Sequence, residues 1–300
     1  GRLLGRVTSD DRSRILDPFC GTGTTLLESK LRGFPSVGVD ANPVCVLVSK
    51  AKTDWGLNVS DLQKASELVL RSASNEYQLH GLRHLNANAV GGRYTALSNP
   101  IFVRSAAGRY LVSSGLIRRG WISPIPALKT LVIAEALWML PGRIKNFLFL
   151  SLLGLLVPEI SNMSYGPEIY RARSRIDCDV FGLFKERTRE NLEKIKLLQS
   201  QYVAAPTTVR MGDSTNDGLD FLRHTCVDAV ITSPPYLSDH DYSRLTRLEL
   251  VFSGYLSSRE HLRSIKRHLL RSSSKNVYKE DSLSQHVKRF GDVQAVIREI

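Results

Sequence analysis

RILDPFCGTGTTLLESKLRGFPSVGVD, residues 14–40, is the stretch on which the fold is decided. Its first four residues make a short apolar strand pattern that runs into Pro18. A turn with two glycines, CGTGTT at residues 20–25, comes next, and a helical pattern covers residues 26–32. Residues 35–40 then form a second strand pattern that ends on the carboxylate of Asp40. Asn42-Pro43 and another helical stretch through Lys52 follow. Strand, tight turn, helix and strand make a βαβ unit, the half-module of a doubly wound parallel sheet.

Moving outward, the alternation stops near residue 57. Long helical patterns over residues 60–71 and 127–140, joined by Gly-, Ser- and Pro-containing connections, predict a mostly helical insertion. Strand patterns return at residues 207–211, before Gly212-Asp213, and at 227–231, before TSPPY. The expected architecture is an α/β sheet in three stretches. Residues 1–56 carry its first half, 57–204 the insertion and 205–300 its second half. Residues 1–12 read as a loop entered part-way through a larger protein, and a helix is expected from about residue 283 onward.

The chain's 300 residues include 42% hydrophobic and 23% charged side chains, enough to bury a real core. A formal net charge of +12 favours polyanionic partners over neutral metabolites. Cys20, Cys45, Cys178 and Cys226 form no CxxC pair and have no histidine at ligand spacing, so no disulfide framework and no metal site is expected. A reducing cytoplasm is the simple reading. The longest apolar run, FLFLSLLGLLV at residues 147–157, falls short of the ~20 residues that cross a bilayer and stops at Pro158, so a buried helix is expected and no membrane partner.

Three carboxylates follow three strands. In DPFCGTGTT the glycines let the backbone pass close to a ligand, and the helix behind them points free amides at it. Taken alone, such a turn fits any α/β protein. Asp40 is placed to accept ribose hydroxyls, or else to cap a helix, and Asp213 to accept from an adenine amine, or else to form an Asx turn. Their common position, at the carboxyl ends of strands, is where open α/β sheets bind ligands. SPPY at residues 233–236 is sharper. Two consecutive prolines stiffen the chain and leave carbonyl acceptors beside a serine hydroxyl and an aromatic face, which suits an exocyclic amine. A rigid turn with an aromatic plug is the plainer alternative.

DPFCGTGTT resembles the cofactor motif of bacterial DNA amino-methyltransferases, and ITSPPY at 231–236 resembles their catalytic motif. LSDHDYSRLTRLEL at 237–250 is similar to the segment on the carboxyl side of that motif in site-specific DNA methylases. The resemblance implies a Rossmann-like class I methyltransferase sheet with S-adenosylmethionine as cofactor. It places Asp17, Phe19, Gly21 and Gly23 around the methionine portion, Asp40 at the ribose and Asp213 at the adenine, with Thr24 and Asn42 also among the cofactor-binding residues. Ser233, Pro234, Pro235 and Tyr236 would hold a base flipped out of double-stranded DNA. A serine at the first position of the motif implies N4-cytosine methylation. N6-adenine methylation is the nearer alternative, and an RNA guanine-N2 methyltransferase or an inactive DNA-binding subunit the others. RNA guanine-N2 enzymes usually carry Asp-Pro-Pro-Tyr, so Ser233 speaks against them. The later strands of such a sheet are not evident before Ile300, so the chain is expected to be incomplete at both ends.

In YGPEIYRARSR at 165–175, Tyr170, Arg171, Arg173 and Arg175 are the expected DNA-contacting residues, with a solvated loop as the alternative. Basic residues over 261–268 fit either a phosphate-binding or a solvent-facing helix. The apolar helices of the insertion fit its own core or a subunit contact, and a homodimer or a restriction or defence-system partner is left open.

Overall fold

The computed structural model describes residues 13–82, 97–202, 205–215, 219–224, 226–236 and 241–269. The opening loop and the helix expected beyond residue 283 lie outside these residues. The chain starts with strand β1 (Ile15–Asp17), then helix α1 (Thr24–Leu31), β2 (Ser36–Asp40) and α2 (Pro43–Thr53). All three residues of β1 are buried, as its unbroken apolar pattern requires of a central parallel strand. Asn42 starts α2 by accepting the Val44 amide at 3.1 Å, with Pro43 at the first helical position.

The helical block comes next: α3 (Val59–Leu79), α4 (Pro100–Arg104), α5 (Ala106–Ser113), α6 (Pro124–Trp138), α7 (Gly142–Leu155) with a π-helical turn at Leu156–Ile160, and α8 (Val180–Gln201). Helix α3 runs eight residues past the stretch expected from the sequence. Its buried face, Leu62, Ser66, Val69, Ala73 and Tyr77, keeps a spacing of three or four to the end, although the residues between are polar. The block also holds a short antiparallel pair that the sequence did not signal, β3 (Met163–Ser164) and β4 (Tyr170–Arg171). The apolar stretch at residues 147–157 is buried within the chain, with Leu148, Leu152, Leu156 and Val157 fully enclosed. Among the described residues no helix is long and apolar enough to cross a membrane.

The sheet resumes with β5 (Thr207–Met211) and β6 (Ala229–Val230), and three helices close the described chain: α9 (Tyr242–Leu245), α10 (Arg247–Phe252) and α11 (Arg259–His268). The four strands are parallel in the order β5-β2-β1-β6. This is the α/β, Rossmann-like architecture expected from residues 14–40. Register places Asp17 opposite Gly38 and Asp40 opposite Met211, so the carboxyl ends of the strands form one edge. A single apolar core joins Val44, Leu47 and Val48 of α2 to the helical block and to Leu248, Val251 and Phe252 of α10. The helical block is therefore packed onto the sheet's own helices.

Candidate functional site

The turn after β1 is built around two carboxylates. Asp17 is buried, and its Oδ1 accepts from the Thr232 hydroxyl at 2.7 Å and the Phe19 amide at 3.2 Å, which ties β1 to the segment after β6. Asp40 accepts the Gly21 amide on Oδ2 and the Asn42 amide on Oδ1, both at 2.8 Å. Burial pushes the Asp40 carboxyl above its ordinary value, and the two amides draw it partly back. Gly23 has φ of 81°, and a Cβ there would stand 2.7 Å from the Ser49 hydroxyl oxygen, so only glycine fits. Gly38 answers a different demand. A Cβ on it would meet Leu26 at 2.5 Å and Cys20 at 2.9 Å, so its absence lets the turn and α1 lie flat on β2.

A cavity of about 200 Å³ opens at the carboxyl edge of the sheet. Phe19, Gly21, Asp40, Asn42, Asp213, Ser233 and Pro235 all line it, drawn from the ends of four strands. Three larger cavities, about 410, 460 and 300 Å³, lie elsewhere: one beside Trp55 and Arg143, reaching the start of β5, one between α7 and α8, and one beside Arg14 and Phe221 at the starts of β2 and β5. None of them collects strand-end carboxylates, and the carboxyl edge is where open α/β sheets take ligands. Asp213 accepts from the Thr215 amide at 2.9 Å and hydroxyl at 2.6 Å, both on Oδ1. Its Oδ2 has no hydrogen bond among the described residues. Asp17, Gly23 and Thr24 are not on the cavity wall: Asp17 and Gly23 are buried in the turn, and Thr24 opens α1 exposed to solvent. Pro234 and Tyr236 also lie off the wall. Tyr236 is 71% exposed, and its amide donates to the Tyr242 hydroxyl at 3.0 Å.

The rest of the wall was not singled out from the sequence. Tyr242, Leu245 and Thr246 come from α9 and its end, and His268 and Leu269 from the end of α11. The Asn42 side-chain amide donates to the Thr246 hydroxyl at 2.9 Å and so locks this second wall to the first. Only the stretch after SPPY hinted at these positions. Next to the wall sits the buried Glu249; its Oε1 accepts from the Tyr165 hydroxyl at 3.0 Å while Oε2 has no partner among the described residues. Burial pushes this carboxyl up to about 7. Cys20 belongs to a small apolar cluster with Leu26, Val46 and Val209, and burial, aided by Asp40 and Asp17, pushes its thiol up to about 12. Such a thiol is packing, not a nucleophile.

The expected DNA-contacting group divides. Arg173 donates to the Pro158 carbonyl at 2.9 Å and the Ser164 hydroxyl at 2.6 Å, and Arg175 to the carbonyls of Pro158 and Ser161 at 3.1 and 3.3 Å. Both therefore cap the carbonyls that α7 and its π turn leave unpaired. Tyr170 and Arg171 lie on β4, exposed.

The chain is 24% identical over 251 residues to the Type II methyltransferase M.BsoBI of Geobacillus stearothermophilus. That match covers 80% of this chain and 47% of the relative, so the chain spans about half of its length. No family model matches, and no solved structure matches.

Proposed function

We propose that this chain binds S-adenosylmethionine and methylates an exocyclic amino group of a base in DNA, and that the base is cytosine, modified at N4. The observation that carries this reading is one cavity lined by both Asp40 and Asp213 and by Ser233 and Pro235. The Type II methyltransferase relative supports it from an independent direction.

The residues present fit the cofactor. A nucleoside needs acceptors for two ribose hydroxyls and an amine, an aromatic or apolar slab, and amide donors. Asp40 and Asp213 supply the acceptors, Phe19, Pro18 and Leu245 the apolar faces, and Gly21 the backbone of the turn. Each Asp40 oxygen keeps a second lone pair beyond the amide it accepts. Bound there, S-adenosylmethionine would supply an electrophilic methyl group. At about 200 Å³ the cavity is below the ~300–1,000 Å³ usual for small-molecule sites, so its wall must widen to admit the cofactor.

The chain's own part is positioning. Ser233 and the carbonyls beside Pro234 and Pro235 accept from the substrate amine and draw electron density onto its nitrogen. Tyr236, held from below by Tyr242, presents an exposed ring on which a flipped base stacks. Near-attack alignment of this kind contributes up to roughly 7–11 kcal/mol, with no covalent intermediate on the protein. Asp17 acts at one remove, by holding the turn to the segment that carries the motif.

Nucleoside mass spectrometry of DNA from cells that express the intact reading frame tests the proposal. N4-methylcytosine is expected, and it should vanish when residues 233–236 are replaced by alanines. N6-methyladenine in its place would move the assignment to adenine, and unmodified DNA would sink it.

A further inference from the structure

Residues 115–120 form a tight loop between α5 and α6, closed by the Arg119 amide on the Gly115 carbonyl at 2.8 Å and the Trp121 amide on the Leu116 carbonyl at 2.9 Å. Leu116 and Ile117 are buried, so the loop is anchored in the core while Arg118 and Arg119 are exposed. Both guanidinium groups lean over Gly115, with nitrogens 3.7 and 3.8 Å from where its Cβ would stand. Arg119 places one donor on the Ser114 carbonyl at 2.7 Å, which fixes its head and leaves the other donors facing outward. Arg171 of β4 lies across the other end of the loop, its guanidinium carbon 3.0 Å from the same point on Gly120. Arg247 of α10 completes the corner. It is half-buried: Nε donates to the Ser243 carbonyl at 3.0 Å and Nη2 to the Ser243 hydroxyl at 3.3 Å, and its charge is opposed by Arg119 and favoured by Asp241.

Three separate segments thus bring four arginines together. Among the described residues none of the four has a carboxylate within 4.0 Å. The carboxylates that border the corner are already engaged: Asp241 by Lys266 at 2.6 Å and Glu168 by Arg244 at 2.9 Å. Like charges held together on a rigid scaffold repel one another, and an anion is what offsets that cost. None of the four lines any of the four cavities described, so the corner suits a chain of phosphates crossing the surface better than a small enclosed anion. The corner also connects directly to the site. Ser243, which holds Arg247, is the neighbour of Tyr242, whose hydroxyl accepts the Tyr236 amide.

We propose that the exposed Arg118, Arg119 and Arg171 grip the phosphate backbone of duplex DNA, with the half-buried Arg247 adding its charge from behind, and lead it to Tyr236. This assigns a binding surface to the helical block, and it rests on the proposed function only for the direction in which the duplex runs. Arg173 and Arg175 are not part of it: both reach back to the Pro158 carbonyl, Arg173 also to Met163 and Ser164 of β3 and Arg175 to the Ser161 carbonyl.

The experiment is fluorescence anisotropy of a fluorescein-labelled duplex of about 25 base pairs against the full chain, over a range of KCl concentrations. Arg119→Gln/Arg171→Gln should weaken binding about tenfold near 100 mM salt and lower the salt slope by about two, one for each phosphate no longer neutralised. A control that removes the same charge from α8, Lys185→Gln/Lys196→Gln, should leave the slope unchanged. Equal losses in both variants would reduce the effect to net charge and overturn the corner, as would no loss in either. Calorimetric titration of the same proteins with S-adenosylmethionine keeps the two readings apart. Duplex binding through the corner with no cofactor binding would overturn the proposed function and leave the corner standing.

Discussion

The strand edge and the helical block use the same kinds of residue under different rules. At the edge, a side chain's place is set by its position in a short local unit: Asp40 ends β2, and its carboxylate is at the cavity because the strand is. In the block, neighbouring arginines of one short stretch part company. Arg171 lies over Gly120 at an exposed corner, while Arg173 and Arg175 turn inward to cap carbonyls of a helix that precedes them by about fifteen residues. Topology decides roles at the edge, and long-range hydrogen-bond satisfaction decides them in the block.

The largest expected effect tests whether chemistry belongs to the edge at all. Tyr236→Ala should lower turnover about a thousandfold, near 4 kcal/mol of transition-state stabilisation, while the cofactor dissociation constant stays within twofold. Its ring is 71% exposed, so loss of fold would not account for such a drop. Turnover that survives the change would remove Tyr236 from the site.

Next in size is a pH effect from Glu249, which lies where the two regions meet. Its carboxyl stands at about 7 against an ordinary 4.5, so between those values the folded chain holds a proton that the unfolded chain has released. Stability therefore falls as pH rises through that window, by about 3 kcal/mol from this group, and the full cost is present above it. Glu249→Gln should remove most of that fall when urea unfolding is compared at pH 5 and pH 8. A variant that keeps the wild-type pH profile would mean that Glu249 already ionises without penalty.

The smallest effect is the one that most directly challenges the contrast. Arg173→Gln and Arg175→Gln should each cost about 1 kcal/mol of stability through lost hydrogen bonds to carbonyls, with no change in the salt slope of DNA binding. A fall in that slope would mean that these guanidinium groups reach phosphate after all, and the division between capping and binding arginines would collapse.

Much of the edge was legible beforehand because its signals are short. Apolar strands, a two-glycine turn and a carboxylate at each strand end fall within a few residues of one another, and parallel strands in one sheet must present those ends together. Asn42 was read toward a ligand, and it does reach the cavity, but its side chain is already committed to the Val44 amide and the Thr246 hydroxyl. Asp17 and Gly23 were read in the same way, yet they build the turn from within. The wall made by α9 and the end of α11 carried no motif. Tyr242, Thr246, His268 and Leu269 became cavity residues only because α10 packs into the same core as α2 and brings its neighbours over the strand ends.

The sequence alone determined the βαβ start, the interruption by helices, the return of the strands and the residues that stand at the carboxyl edge. These arise from backbone periodicity and from the fixed geometry of a parallel sheet, which are properties of neighbours along the chain. Only the tertiary structure decided which arginines are spent on carbonyls, which remain to meet an anion, and why the carboxyl of Glu249 on α10 is pushed up to about 7. Those outcomes depend on burial and on hydrogen-bond partners up to 84 residues away, as between Tyr165 and Glu249, and no local pattern encodes which partner will arrive.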